Sequence, residues 1–205
     1  MTGLPSRLHA ARAWLAICLG AAVLALAAWP ASPHALDWEP SLAWRQPWRL
    51  LTAAGVHWSA LHLVVNLLGV AVVAVFGLAA RLPGAAAAAW LAAWPLTHLG
   101  LLPRRDLLHY GGLSGVLHAA VAVAACWLVC ARQGREQAIG AAVAAGLLVK
   151  VLTEAPWGPT LRMTPGWDIY IAPLAHATGA ATGALCALCA WHITRARRVG
   201  GSSDG

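Results

Sequence analysis

The sequence predicts an all-α membrane protein, a bundle of six transmembrane helices. Two observations carry this. The 205 residues are 60% hydrophobic and only 10% charged, with a mean hydropathy of +0.67. A soluble domain runs about 45–50% apolar and about 25% charged. The apolar residues also gather into runs near the roughly 20 residues that a helix needs to cross a bilayer. Disorder is excluded, because it requires low hydrophobicity. A formal charge of +7 invites a nucleic-acid reading, but most basic side chains sit beside apolar runs. Membrane lipid is therefore the expected partner, and nucleic acid is not.

The expected spans are Ala13–Ala31, Val56–Ala80, Gly84–Leu102, Leu113–Ala131, Ala138–Thr153 and Ile171–Thr194. Arg7 and Arg12 precede the first, and Ala31-Ser32-Pro33-His34-Ala35 follows it. That run is long for a signal peptide and prolines crowd the cleavage position, so the helix is expected to be retained. Alanine-rich residues 84–93 read as a tightly packed helix. The fifth span is short and is expected to tilt or shelter behind neighbours. Residues 1–12 form an N-terminal segment, 13–194 the helical domain, and 195–205 a basic, then flexible, tail.

Lysine and arginine positions set orientation. With both termini inside, the inner face holds Arg7, Arg12, Arg81, Arg132, Arg135, Arg195, Arg197 and Arg198. The outer face holds Arg45, Arg49, Arg104, Arg105, Lys150 and Arg162. The cluster Arg195, Arg197, Arg198 directly after a span weighs most, and places both termini in the cytoplasm. Trp38, Trp44, Trp48, Trp58, Trp157 and Trp167 then fit as outer interface anchors, and Trp14 and Trp191 as inner ones. Cys18, Cys126, Cys130, Cys186 and Cys189 all lie in apolar runs and read as small packing residues, not as a disulfide framework.

Polar groups inside a span are costly and mark function. His62 and Asn66 are four apart, so they share a helix face, with His57 a turn and a half earlier. Ser114 stands between glycines in Gly111-Gly112-Leu113-Ser114-Gly115 at a helix start. Glycine permits close backbone approach there, and a helix start offers free N–H groups to an oxyanion. His176 precedes Gly179 and Gly183, a small-residue face that admits a neighbouring helix closely. If that neighbour carries Ser114, the two meet as nucleophile and base. His118, one turn below Ser114, is the competing base. Lys150 and Glu154 read as an i,i+4 ion pair, or else as a substrate-recognition pair. Arg162 and Asp168 read as solvated loop charges. With no acidic partner near His176 in sequence, a Ser–His dyad is expected.

These motifs resemble the rhomboid family of intramembrane serine proteases. The resemblance rests on Trp48-Arg49, His57-x4-His62-x3-Asn66, Gly112-Leu113-Ser114-Gly115 and Ala175-His176-x2-Gly179-x3-Gly183. It implies a six-helix core with a cavity open to the outer side. Ser114 would be the nucleophile, His176 the base, and His62, Asn66 and the Ser114 N–H the oxyanion hole. Trp48 and Arg49 would lie in a loop at the outer leaflet. Residues Gly112 to His118, the Lys150/Glu154 pair and the compact chain look most like the rhombosortase branch, with Ala119 departing from an expected glycine. That branch implies removal of a hydrophobic C-terminal anchor, preceded by a glycine motif, from exported proteins in a bacterial inner membrane. No cofactor or metal is implied, and the oligomeric state is open. The competing class is a non-proteolytic rhomboid-like binder or chaperone. A transporter would need inverted repeats, and none is visible.

Overall fold

The fold comes from a computed structural model that describes residues 4–200. Six helices of four turns or more carry it: α1 (Leu4–Ala28), α2 (Ala60–Ala79), α3 (Gly84–Leu99), α4 (Ser114–Ala131), α5 (Arg135–Thr153) and α6 (Pro173–Gly200). All but α3 are long and apolar enough to cross a membrane. The protein is thus a mostly helical, multi-pass membrane protein. Large apolar side chains such as Leu19, Leu68, Val75, Val149 and Leu185 stand exposed on its helices, as a bilayer-facing surface requires.

Helix α3 differs from the expected Gly84–Leu102 span. It has 16 residues and contains Pro95, and the chain leaves it through turns at 100–103. At about 1.5 Å per residue it falls short of a bilayer core of about 30 Å. Its alanines do pack tightly, with Ala86, Ala87, Ala89 and Ala93 buried. Helix α1 begins nine residues before the expected Ala13, and α6 runs past Thr194 to Gly200. The first part of the expected tail, 195–200, is thus helical, and 201–205 lie outside the described residues.

Helix α4 is the central stave. Of its apolar window 67% is buried, against 11–33% for the other spanning helices. Helix α6 packs along it because glycine removes the side chain where the backbones meet. A Cβ on Gly179 would collide with the Gly115 carbonyl, and one on Gly183 with that of Ala119. On the other flank, Gly140 of α5 sits against Leu128 and the Ala125 carbonyl.

Two tryptophans expected at interfaces are core residues instead. Trp14 is fully buried; its indole N–H donates to the Val73 carbonyl at 3.0 Å and its ring packs on Trp90. Gly77 leaves the room that the ring occupies. Trp38 is fully buried beside His98, and its backbone pairs antiparallel with Tyr110. Trp44, Trp48 and Trp157 are exposed as expected. The five cysteines are free. A two-residue hairpin, β1 (Arg162–Met163) with β2 (Tyr170–Ile171), bridges α5 and α6.

Candidate active site

Ser114 opens α4, so its backbone N–H has no acceptor within the helix. The loop before it turns at Gly112, whose φ of +123° L side chains rarely adopt. A Cβ there would lie 2.6 Å from His62 Nε2. Glycine is therefore required on two counts, and its absent side chain lets the His62 ring lie against the Ser114 loop.

His176 reaches Ser114 from α6 across the glycine seam. Its Nε2 lies 3.0 Å from Ser114 Oγ. The sequence-level condition for the pair, that α6 packs on the serine helix, is met. The expected dyad is not what the structure contains, because a third residue joins it. His176 Nδ1 stands 2.6 Å from Glu154 Oε2. Glu154 lies just beyond the end of α5, 22 positions before His176, and its other oxygen accepts from Lys150 Nζ at 2.6 Å. Burial works against this carboxylate, but the hydrogen bonds from His176 and Lys150 and the charge of Lys150 outweigh it and hold its pKa down at about 2. An ionised Glu154 fixes the imidazole hydrogen on Nδ1 and leaves Nε2 as the acceptor for the serine proton.

His118 does not compete for that proton. Its Nδ1 donates to the Ser114 carbonyl at 2.6 Å, and its ring lies parallel to that of His176, 4.1 Å between centroids. It props the His176 ring in place.

The donor side is built on α2. Ser59 caps the helix by accepting from the His62 backbone N–H. The Trp58 N–H donates to His62 Nδ1 at 3.4 Å, which assigns the ring hydrogen to Nε2, the nitrogen beside Gly112. Asn66 spends one amide hydrogen on the His62 carbonyl at 2.9 Å and keeps a second. His62 and Asn66 are buried, and both line the cavity that holds Ser114 and His176. This cavity of about 820 Å³ is walled by α2 on one side and α5 on the other, and Gly69 and Gly146 face it.

The remaining expected residues stand behind the site. His57 packs on His62 at 4.7 Å between centroids and does not line the cavity. Gly115 serves the helix seam, with the Ala175 carbonyl 2.9 Å from where its Cβ would be. Trp48 is exposed. Arg49 is buried and holds a different region: its guanidinium donates to the Asp37 carboxylate at 2.6 Å and to the carbonyls of Asp37 and His34. Asp168 is an exposed loop charge, as expected; it also accepts from the Ser59 hydroxyl at 2.7 Å and so ties the hairpin loop to the start of α2. Two clusters among the described residues bring metal-ligating atoms together, His118–Glu154–His176 and His34–Asp37–His109.

The family model described as Rhomboid domain matches residues 44–193, most of the chain. The chain belongs to the rhomboid family. That family is one of intramembrane serine proteases, and the matched region contains Ser114, His176, Glu154, His62 and Asn66. No curated protein matches this rhomboid.

Proposed function

We propose that this rhomboid is an intramembrane serine endopeptidase with a Ser114–His176–Glu154 triad. One observation carries the reading: a single imidazole is within hydrogen-bond reach of the serine hydroxyl through Nε2 and of the carboxylate through Nδ1, beside a cavity with unspent N–H donors. Ser114 Oγ attacks the scissile carbonyl carbon as its proton passes to His176 Nε2. The oxyanion rests on His62 Nε2–H, the free Asn66 N–H and the Ser114 backbone N–H. His176 passes its proton to the leaving amine. Water, activated by the same imidazole, then cleaves the acyl-enzyme.

The substrate is a membrane-anchored protein. The walls of the cavity, Val65, Val72, Val143 and Leu147, are apolar and belong to two membrane helices, so an apolar anchor can enter between α2 and α5. The rhombosortase-like features favour a C-terminal anchor that follows a glycine motif. In this reading α3 completes a set of six membrane helices, both termini lie in the cytoplasm, and the active site opens to the periplasmic side of a bacterial inner membrane.

A fluorophosphonate tests the reading directly, because it marks a serine only when that serine is activated. The purified wild type is expected to label and Ser114→Ala not to. Labelling that persists in Ser114→Ala takes the nucleophile role away from Ser114, and a wild type that never labels returns the chain to the non-proteolytic, binding class. In cells, Ser114→Ala is expected to retain C-terminally anchored exported proteins that the wild type releases.

A further inference from the structure

We propose that His34, Asp37 and His109 form a binding site for one zinc-like divalent cation at the rim of the catalytic cavity. Asp37 is fully buried. Arg49 occupies its Oδ1 at 2.6 Å, which leaves Oδ2 for two imidazoles. His109 Nδ1 stands 2.7 Å from it and His34 Nδ1 3.6 Å. The three candidate ligand atoms lie within 4.8 Å of one another. The two rings meet at 4.5 Å between centroids with a tilt of 60°. Neighbouring ligands of a tetrahedral ion with bonds of about 2.0–2.1 Å sit about 3.3 Å apart, between the two spacings seen here. Small ring rotations, with no backbone movement, would close the site.

Charge points the same way. Asp37 and Glu39 face one guanidinium, with Arg49 Nη1 3.3 Å from Glu39 Oε1. With neutral imidazoles the cluster carries one net negative charge. A divalent cation is attracted to it, and Glu39 Oε1, 3.9 Å from His109 Nδ1, stands ready as a fourth ligand. Two imidazole nitrogens and a carboxylate suit zinc and its transition-metal neighbours, whereas calcium and magnesium prefer all-oxygen shells. Arg49 on the far carboxylate oxygen supplies the outer hydrogen bond that holds a metal-binding carboxylate in orientation. His34 and His109 are exposed enough, 62% and 40%, for an ion to enter from solvent.

The position gives the ion a consequence. His34 and His109 both line the catalytic cavity. His109 precedes Tyr110, whose backbone pairs with Trp38 at 2.7 and 2.9 Å, and Gly111-Gly112 leads from there to Ser114. A bound cation would pin residues 34–37 to the loop that presents the nucleophile.

The test uses the full-length protein in detergent, stripped of metal and free of any polyhistidine tag. Zn²⁺ is titrated against a chromogenic chelator, and melting is followed with and without Zn²⁺. The wild type is expected to take up one equivalent and to melt several degrees higher with it. His34→Ala and His109→Ala are each expected to weaken uptake at least tenfold and to lose the thermal shift. His34→Gln repeats the test with a conservative change at an exposed position. His118→Ala is expected to keep the tight equivalent. Three results overturn the proposal: no uptake by the wild type, uptake unchanged in His34→Ala and His109→Ala, or uptake lost in His118→Ala, which would move the ion to the triad. Because the readout is metal binding, it is independent of the protease reading.

Discussion

Glu154 and His176 join across the gap between α5 and α6 through a 2.6 Å hydrogen bond. The carboxylate serves two partners at once, one oxygen on His176 and one on Lys150. The Lys150/Glu154 ion pair and the orientation of the proposed base are therefore one structure.

Glu154→Gln tests what that contact does. The glutamine amide can donate to Nδ1 and so drive the imidazole hydrogen onto Nε2, the side facing Ser114. A base with its hydrogen on the wrong nitrogen cannot accept from serine. The equivalent change in the Ser-His-Asp template lowers kcat by about 10⁴, and general-base catalysis contributes about 10²–10⁴. We expect a loss of about 10²–10⁴ in kcat with KM nearly unchanged, a parallel loss in fluorophosphonate labelling rate, and partial recovery in Glu154→Asp. Wild-type kinetics in Glu154→Gln would show that His176 needs no carboxylate.

The oxyanion donors make a separate expectation. His62→Ala and Asn66→Ala each remove one N–H from the carbonyl-binding corner, which costs about 10²–10³ in kcat per donor. Asn66 also bonds to the His62 carbonyl, so the double variant should lose less than the product of the single losses. Single-turnover cleavage of a detergent-solubilised substrate measures this. A double variant with strictly multiplied losses would mean that the two side chains act independently.

Much of this was legible in the residues. Hydropathy gave five of the spanning helices, and glycines around Ser114 and after His176 marked the two helices of the seam. Glu154 was missed because its partner is far in sequence: beside Lys150 it looks locally satisfied, and only the fold brings α5 to His176. Trp14 and Trp38 were misread because an aromatic near a span end looks the same whether it meets lipid headgroups or a neighbouring glycine such as Gly77. Arg49 was legible as important, but its target, Asp37, was not. Helix α3 was overestimated because apolarity continues through Leu101 and Leu102 after the helix has ended at Leu99.

The seam itself can be broken without touching a catalytic atom. Gly179→Val would drive a branched side chain into the Gly115 carbonyl, and the α4 and α6 backbones would have to part. Overpacking of this kind costs about 1–3 kcal/mol, and the parting acts directly on the Ser114–His176 distance. We expect a lower melting temperature together with loss of fluorophosphonate labelling. Gly146→Ala serves as the contrast, because nothing lies within 4 Å of the added carbon, and it should melt as the wild type does. Full labelling in Gly179→Val would show that the seam tolerates separation.

Acid stability reports on the same carboxylate. In the folded protein the His176 and Lys150 interactions outweigh burial and bring Glu154 from its ordinary 4.5 to about 2. The folded state therefore binds this proton more weakly than the unfolded state does. The resulting stabilisation is complete above about pH 4.5 and drains away as pH falls toward 2. Glu154→Gln has no proton to take up at this position. The wild type should thus melt above Glu154→Gln at pH values over 4.5, and the gap should narrow steadily as the pH drops toward 2. Melting curves of both proteins in the same detergent across that window provide the measurement. A gap that stays constant through it would mean that Glu154 is not held as a paired carboxylate, and the triad would lose its third member.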